Sequence, residues 1–541
     1  MQMPTLNIRD YTFPNVIARR AAELGDKPYL LFEEERYSYA DVHRITNTLA
    51  AGLLASGLRH GDHVALMLDN SPAMVWYYLA LGKIGAVSVP LNTAARGELL
   101  GRYLRQADTS FIVISATFAE RAAGVVAGCP KLKSGIVVDD GNPLPANALP
   151  GLTLFDHVTL MQSPAGDIDA AVDFKDLACL MFTSGTTGPS KAIMSVQASI
   201  FAPAAAIGEA FGYTQDDVMY TCLPLFHGNA MRSLYVALLA GCTIALARKF
   251  SASGFWPDVR RFGATQFNLL GAMANMLWSR PPLPEDRNHA ATKCMIVPIP
   301  AFGSQFTERF GVRLCSTYAL TDFAYITFLT PSDPVEKWVS AGRPQSGMQV
   351  AILDEDDMPV APCEVGEICV RSRHAWTSAQ GYYGMPEATV AAWRNLWFHT
   401  GDRGLLDADG YLHFRDRKKD SIRRRGENIS SHEVEQILTM HPEVREVAAY
   451  AVRSDMSEDD VMVSVVRAEG SALTEACLVE WAAGQMAYFM VPRYVQFVPA
   501  LPRTLTEKIE KYKLKADAER DLRRAWDREA HGITVNRNTG G

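Results

Sequence analysis

The chain has little of what would make it secreted, membrane-bound or disulfide-stapled. No apolar run approaches the roughly 18 residues needed to cross a bilayer. The opening stretch, Met1 to Val16, mixes Asn, Arg, Asp and Pro where a secretory signal needs a basic start and an apolar run. The nine cysteines form no CxxC pair and have no histidines at zinc spacing, so neither a disulfide framework nor a zinc site is expected. Free thiols in a reducing cytoplasm fit this pattern. An excess of basic charge is also missing: the formal net charge is -7, which offers no broad attraction to nucleic acid or anionic lipid, although a local basic patch can still bind phosphate. Internal repeats and long low-complexity tracts are absent.

What is present is a chain of 541 residues, 48% hydrophobic and 21% charged, too long for one compact core, so two or more domains are expected. From Tyr37 to Val87 the periodicity predicts a helix through Tyr39–Ser56, a turn at Gly61-Asp62, a strand at His63–Leu68 and a helix from Pro72 to Gly85. Short apolar or β-branched runs at 110–115, 134–138, 178–182, 217–222, 242–247 and 266–270 continue this alternation and imply a large layered α/β body. After Gly342 the runs shorten and Gly, Pro and Asp become frequent, which predicts a β-rich subdomain of hairpins. A charge run, 415–420 followed by Arg423 to Gly426, reads as a hinge or linker. The expected organisation is an N-terminal domain of residues 1–416 and a small α+β C-terminal domain of residues 417–541, with helices at 433–440 and 474–486, strands at 444–452 and 461–466, and a charged helical tail.

The most informative local stretch is Thr183-Ser-Gly-Thr-Thr-Gly-Pro-Ser-Lys191, directly after an apolar strand. Its glycines permit tight turns, its hydroxyls and amides donate hydrogen bonds, and Lys191 adds a cation, so the loop suits a polyphosphate. A Walker loop needs Gly before the lysine and Ser or Thr after it; here Ser190 and Ala192 occupy those places. By composition alone a flexible Ser/Thr/Gly surface loop is the simpler reading.

Context changes that reading. The stretch resembles the phosphate-loop signature of the adenylate-forming superfamily, which comprises acyl-CoA synthetases, peptide-synthetase adenylation domains and luciferases. In the same chain order, Tyr318-Ala-Leu-Thr-Asp322, His399-Thr-Gly-Asp402, Arg417-Lys-Lys-Asp420 with Gly426-Glu-Asn-Ile429, and Pro502-Arg-Thr-Leu-Thr-Glu-Lys508 resemble further motifs of that superfamily. The likeness runs from about Tyr37 to about Lys515. It implies an enzyme that activates a carboxylic acid with ATP as an acyl-adenylate and then transfers the acyl group to a thiol, with coenzyme A as the expected acceptor. A separate carrier protein as acceptor, and a non-catalytic nucleotide-binding homologue, are the rival readings. A homodimer is left open.

The resemblance also assigns roles. Thr183, Ser184, Gly185, Thr186, Thr187, Gly188 and Lys191 would hold the phosphates, Thr321 would donate to the α-phosphate, and Tyr318 would stack on adenine. Asp402 would accept from both ribose hydroxyls, as acidic residues do in other nucleotide sites, and Arg417 would reach the nucleotide too. Asp322 is the candidate carboxylate for Mg²⁺, which favours hard oxygen ligands. Lys508 would enter the site to neutralise charge around carboxylate and α-phosphate, Lys419 would be the hinge, and Gly426 with Glu427 would form the loop facing coenzyme A. His227 matches a position between acyl pocket and thiol tunnel, where gating is preferred to a general-base role. The acyl pocket would take His227, Asn229, Arg232, Asn268, Gly271, Met273, Val297, Ala319 and Leu320. Within that set Arg232 would either pair with a second carboxylate on the acid or be a surface charge on a helix.

The pattern departs from the superfamily in places. Ala192 and Ala319 replace glycines, Asp322 is one methylene shorter than the usual Glu, Val297-Pro-Ile-Pro300 stands for a Gly-Gly-Ala-Pro turn, and Glu507 replaces a Gly. Arg424-Arg-Gly-Glu-Asn-Ile-Ser-Ser431 with Thr506-Glu-Lys508 resembles the branch labelled carnitine- or crotonobetaine-CoA-ligase-like.

Overall fold

The computed structural model describes residues 7–143, 148–164, 166–168, 170–183, 190–300, 302–417, 421–424, 426–454, 458–502, 509 and 511–535. The helix expected from Tyr39 spans Tyr39–Ala55 and starts at a capping box: the Asp41 amide donates to the Ser38 hydroxyl, and the Ser38 amide donates to the Asp41 carboxylate. The next helix, Pro72–Lys83, has Pro in its first turn, and every residue from Met74 to Lys83 is buried. A helix apolar all round has to be packed on all sides, and this one lies inside the molecule.

Two seven-stranded sheets flank it. One runs in the order Thr153–Asp156, Ser134–Val138, Phe111–Ser115, His63–Met67, Val87–Pro90, Leu177–Thr183, Lys191–Val196. It is parallel until its last pair, where Leu177–Thr183 and Lys191–Val196 form an antiparallel hairpin. The other runs Arg313–Cys315, Lys293–Val297, Gln266–Leu270, Val218–Thr221, Thr243–Leu246, Pro28–Phe32, Glu35–Ser38, and it too is parallel except for the closing hairpin. One hydrophobic core joins them: Val64 and Leu66 of the first sheet and Ile244 and Leu246 of the second belong to the same cluster as Tyr39, Tyr78, Phe201 and Leu234 from the intervening helices. Parallel sheets need both faces covered, and these shared helices supply the cover.

The β-rich subdomain is antiparallel, with Met348–Leu353, Gly366–Ser372 and Trp397–Leu406 at its centre and Leu412–Arg417 paired to the last of these. Arg417 ends that strand, so the chain leaves this sheet within the charged run. Beyond it, the hairpin Ser421–Arg424/Glu427–Ser430 leads to helix Ser431–Thr439 and a four-stranded sheet with helix Glu475–Gln485. The charged helical tail is the helix Lys511–Arg520, and a short strand follows it. After helix Lys511–Arg520 the chain turns back, and Trp526–Asp527 pairs antiparallel with Tyr494–Phe497 as the edge of that sheet.

Among the described residues no helix is long and apolar enough to cross a membrane.

Candidate active site

The phosphate-loop motif begins at the last residue of Leu177–Thr183 and ends at the first of Lys191–Val196, two antiparallel strands in which Thr183 and Lys191 pair. Ser184, Gly185, Thr186, Thr187 and Gly188 lie outside the described residues, as do Lys419 and Lys508. Lys191 is partly buried, with its ammonium 4.4 Å from the centre of the Tyr382 ring. Burial lowers its pKa, and the Asp322 carboxylate pulls the other way. Asp322 sits in the turn of the short hairpin Ala319–Leu320/Ala324–Tyr325. Desolvation pushes its carboxyl up to about 6, against a hydrogen bond from Tyr382 and the charges of Lys191 and Arg232.

Tyr382 therefore ties the phosphate hairpin to the candidate metal carboxylate, a link that the sequence reading missed. It arrives on the segment Gln380–Tyr383, which adds to the edge of Lys191–Val196: the Tyr383 amide donates to the Ala192 carbonyl at 2.8 Å, and the Met194 amide donates to the Gly381 carbonyl at 3.0 Å. The only sequence sign of it is an aromatic pair bracketed by glycines, Gly381-Tyr-Tyr-Gly384.

Tyr318 precedes the same hairpin and is buried. Its hydroxyl donates to the Asp402 carboxylate at 2.7 Å, joining two residues 84 positions apart. Asp402 is buried on Trp397–Leu406, directly opposite Arg417 in the register with Leu412–Arg417. Gly401 takes a φ of +74° just before it, a backbone state costly for residues with a Cβ. The turn is buttressed from the neighbouring strand: the Gly401 amide donates to Glu367 at 3.1 Å and the Thr400 hydroxyl to the Ile368 carbonyl at 2.7 Å. Glu367, Cys369 and His399 bring potential ligand atoms within 4.8 Å of one another. Arg394 already stands 3.2 Å from the His399 ring nitrogen, so the cluster reads as a hydrogen-bonded support for Asp402.

His227 directly precedes helix Gly228–Ala240 and follows a segment pinned by Asn70, whose amide donates to the Leu223 and Ala247 carbonyls at 2.9 Å. Its ring nitrogen Nε2 is 3.0 Å from the Glu427 carboxylate. Gly426, beside Glu427, packs so closely on Leu270 that a Cβ there would lie 2.6 Å from its Cδ1. The segment expected to face coenzyme A thus lies against the residue expected to gate the thiol route. A second bond crosses nearby: the Ser190 amide, at the end of the phosphate-loop motif, donates to Glu433 at 2.9 Å, and the Ser190 hydroxyl contacts the same carboxylate.

The residues named for the acyl pocket divide. Asn268 donates to Asn229 and to the Ser233 hydroxyl, both at 3.0 Å. Met273 is buried, Gly271 faces Pro298, and Val297 ends a central strand with a cis bond to Pro298. Ala319 and Leu320 form the short hairpin. Arg232, Thr321 and Asp322 instead share the wall of a small cavity, of about 20 Å³, with Met181, Ile200, Met231 and Tyr235.

Comparison with known proteins places this geometry. The family described as AMP-binding enzyme matches residues 17–383, and the AMP-binding enzyme C-terminal domain matches residues 433–508. The chain belongs to the AMP-binding enzyme family. A crotonobetaine/carnitine–CoA ligase of Salmonella paratyphi A is 33% identical over 501 residues, covering 91% of this chain and 96% of the relative. A double mutant of the o-succinylbenzoate CoA synthetase of Bacillus subtilis, 25% identical, superposes with a TM-score of 0.81 when bound to its product analogue OSB-NCoA, over 93% of this chain and 98% of the other. The same synthetase with its acyl-adenylate intermediate, matched over the same shares, gives 0.66. This AMP-binding enzyme is an ATP-dependent, AMP-forming acid–CoA ligase.

Proposed function

We propose that this AMP-binding enzyme runs both half-reactions in one site, and that the C-terminal residues from 417 act as a lid that changes position between them. The observation that carries this reading is the contact of Gly426 and Glu427 with Leu270 and His227. In that arrangement the loop borders the route for an incoming thiol. The higher TM-score against the product-analogue complex than against the adenylate complex of the same synthetase supports it.

In the first step the substrate carboxylate attacks the α-phosphorus of ATP and pyrophosphate leaves. Tyr318, Asp402 and Arg417 hold the nucleoside end, and the phosphate-loop motif with Lys191 holds the phosphates. Thr321 donates to the α-phosphate. Asp322 fits Mg²⁺, since it offers a hard carboxylate oxygen beside Lys191 of the phosphate hairpin. Bound there, the ion would offset phosphate charge. Lys508 supplies positive charge to the developing transition state. In the second step the lid has rotated about Lys419, Lys508 has withdrawn, and the thiol of coenzyme A reaches the acyl carbon past His227, displacing AMP. Domain closure of this kind lets one site serve two chemistries.

The test is mass spectrometry of the purified protein with Mg²⁺, ATP, coenzyme A and a pooled panel of carboxylic acids. AMP together with an acyl-CoA mass is the expected outcome. ATP left intact across a broad panel would overturn the reading.

A further inference from the structure

Arg232 lies one turn into the helix that begins after His227, and its guanidinium lines the cavity shared with Thr321 and Asp322. Among the described residues its hydrogen bonding amounts to one contact, from Nη2 to the Thr321 carbonyl at 3.2 Å, and no carboxylate comes within ion-pair distance. The guanidinium also rests 5.8 Å from the centre of the Tyr325 ring, which holds it over an aromatic face. Gly228 makes room for it, because a Cβ there would stand 2.9 Å from Nη1.

Arg232 is half-buried; taking a guanidinium partly out of water without an ion-pair partner is costly, and the cost falls when an anion is bound against it. Desolvation accordingly lowers the pKa of Arg232, with Asp322 among the groups that partly restore it. Asp322 is the one acidic residue in the described cavity wall, and it also faces Lys191 and accepts from Tyr382. One carboxylate therefore stands between two cations. Lys191 belongs to the phosphate hairpin, so ATP answers its charge; Arg232 is left facing the cavity. Ser195, Ser199, Thr377 and Ser378 add hydroxyls to the wall, while Met181 and Ile200 keep part of it apolar.

We propose that Arg232 recognises a second anionic group on the acid, so that the substrate is a compact dicarboxylate or an acid with an equivalent anionic substituent. This rests on the acid–CoA ligase reading and narrows its substrate. Compactness follows from the bond to the Thr321 carbonyl: the same residue would touch the α-phosphate, so the second anion lies near the reacting carboxyl. A trimethylammonium acid would meet like charge here, so carnitine is expected to be a poor substrate.

The experiment measures kcat/KM for acyl-CoA formation with the full-length enzyme, Mg²⁺, ATP and coenzyme A. The acids are short diacids from malonate to adipate, each beside its monomethyl ester and the straight-chain monoacid of equal length, together with carnitine. A charge-assisted pair predicts that the best diacid exceeds its monoester by about ten- to a hundredfold. Arg232→Met should bring that ratio close to one, and Arg232→Lys should keep part of it. Equal use of diacid and monoester by the unaltered enzyme overturns the inference, as does a preference that survives in Arg232→Met. Thioester formed from monoacids alone leaves the ligase reading standing and removes the diacid; no thioester from any acid overturns both.

Discussion

Ser190 and Glu433, separated by 243 residues, are joined by a hydrogen bond of 2.9 Å from the Ser190 amide to the Glu433 carboxylate, which links the end of the phosphate-loop motif to the first C-terminal helix. Glu433 is fully buried there. Desolvation pushes its carboxyl up to about 7 from a free value of 4.5, against Arg102 and the Ser190 amide, which pull it down. A carboxyl raised in this way favours the arrangement that buries it at low pH, and that contribution fades as pH rises from about 4.5 through about 7. The shift corresponds to about 3 kcal/mol.

The docked arrangement should therefore loosen between pH 5 and pH 8, to the order of that shift, and Glu433→Gln, which mimics the protonated acid, should flatten the change. Cys363 and Cys477 are the exposed cysteines, one in the β-rich subdomain and one in the C-terminal sheet region. Fluorophores on this pair would report the separation by energy transfer. A pH profile identical in the two proteins would show that Glu433 does not govern docking.

Gly426 makes a separate prediction. With a φ of +80°, a branched side chain at Gly426 is strained, and its Cβ, 2.6 Å from Leu270 Cδ1, would push that side chain aside. Gly426→Val should slow the thioester step by about ten- to a hundredfold, from strain of about 1–3 kcal/mol. Acid-dependent pyrophosphate exchange, which does not need this contact, should change less than about twofold. Stopped-flow measurement of both steps checks the difference, and equal slowing would mean that the variant disturbs the whole site.

These two contacts also show where sequence reading stopped. Periodicity marked the helix at Tyr39 and the strand at His63 to within a residue or two, because both carry long one-period patterns and clear turn signals. It also found Tyr318, Asp322, Asp402 and Arg417 as separate motif matches. Their joining was not legible: Tyr318 reaches Asp402 across 84 positions, and Tyr382 reaches Asp322 from an irregular segment without periodicity. Arg232 was ambiguous for a different physical reason. Its helix is buried on nearly every face, so no polar stripe distinguishes an inward arginine from an outward one.

The Tyr318–Asp402 pair predicts nucleotide selectivity. If Asp402 accepts from the ribose hydroxyls, ATP should outperform 2′-deoxy-ATP, and Asp402→Ala should lose about ten- to a hundredfold in kcat/KM for ATP while erasing that preference. Tyr318→Phe should cost less, since it removes one donor to Asp402 and keeps the ring for adenine. Pyrophosphate exchange with the two nucleotides measures this. A 2′-deoxy penalty retained in Asp402→Ala would assign the ribose to another residue.

Lys508 supplies the test that separates the two half-reactions. A cation that acts only while the carboxylate attacks the α-phosphorus stabilises the first transition state and no part of the second. Lys508→Ala should therefore lose adenylate formation by about a hundredfold or more, in line with the loss of a single electrostatic donor. When acyl-adenylate is supplied with coenzyme A, thioester should still form at close to the normal rate, as the proposed lid rotation requires. The same variant should leave the diacid preference at Arg232 intact in that second assay. If both steps fall together, residue 508 supports the fold of the lid rather than one stage of the chemistry, and the rotation about Lys419 loses its main support.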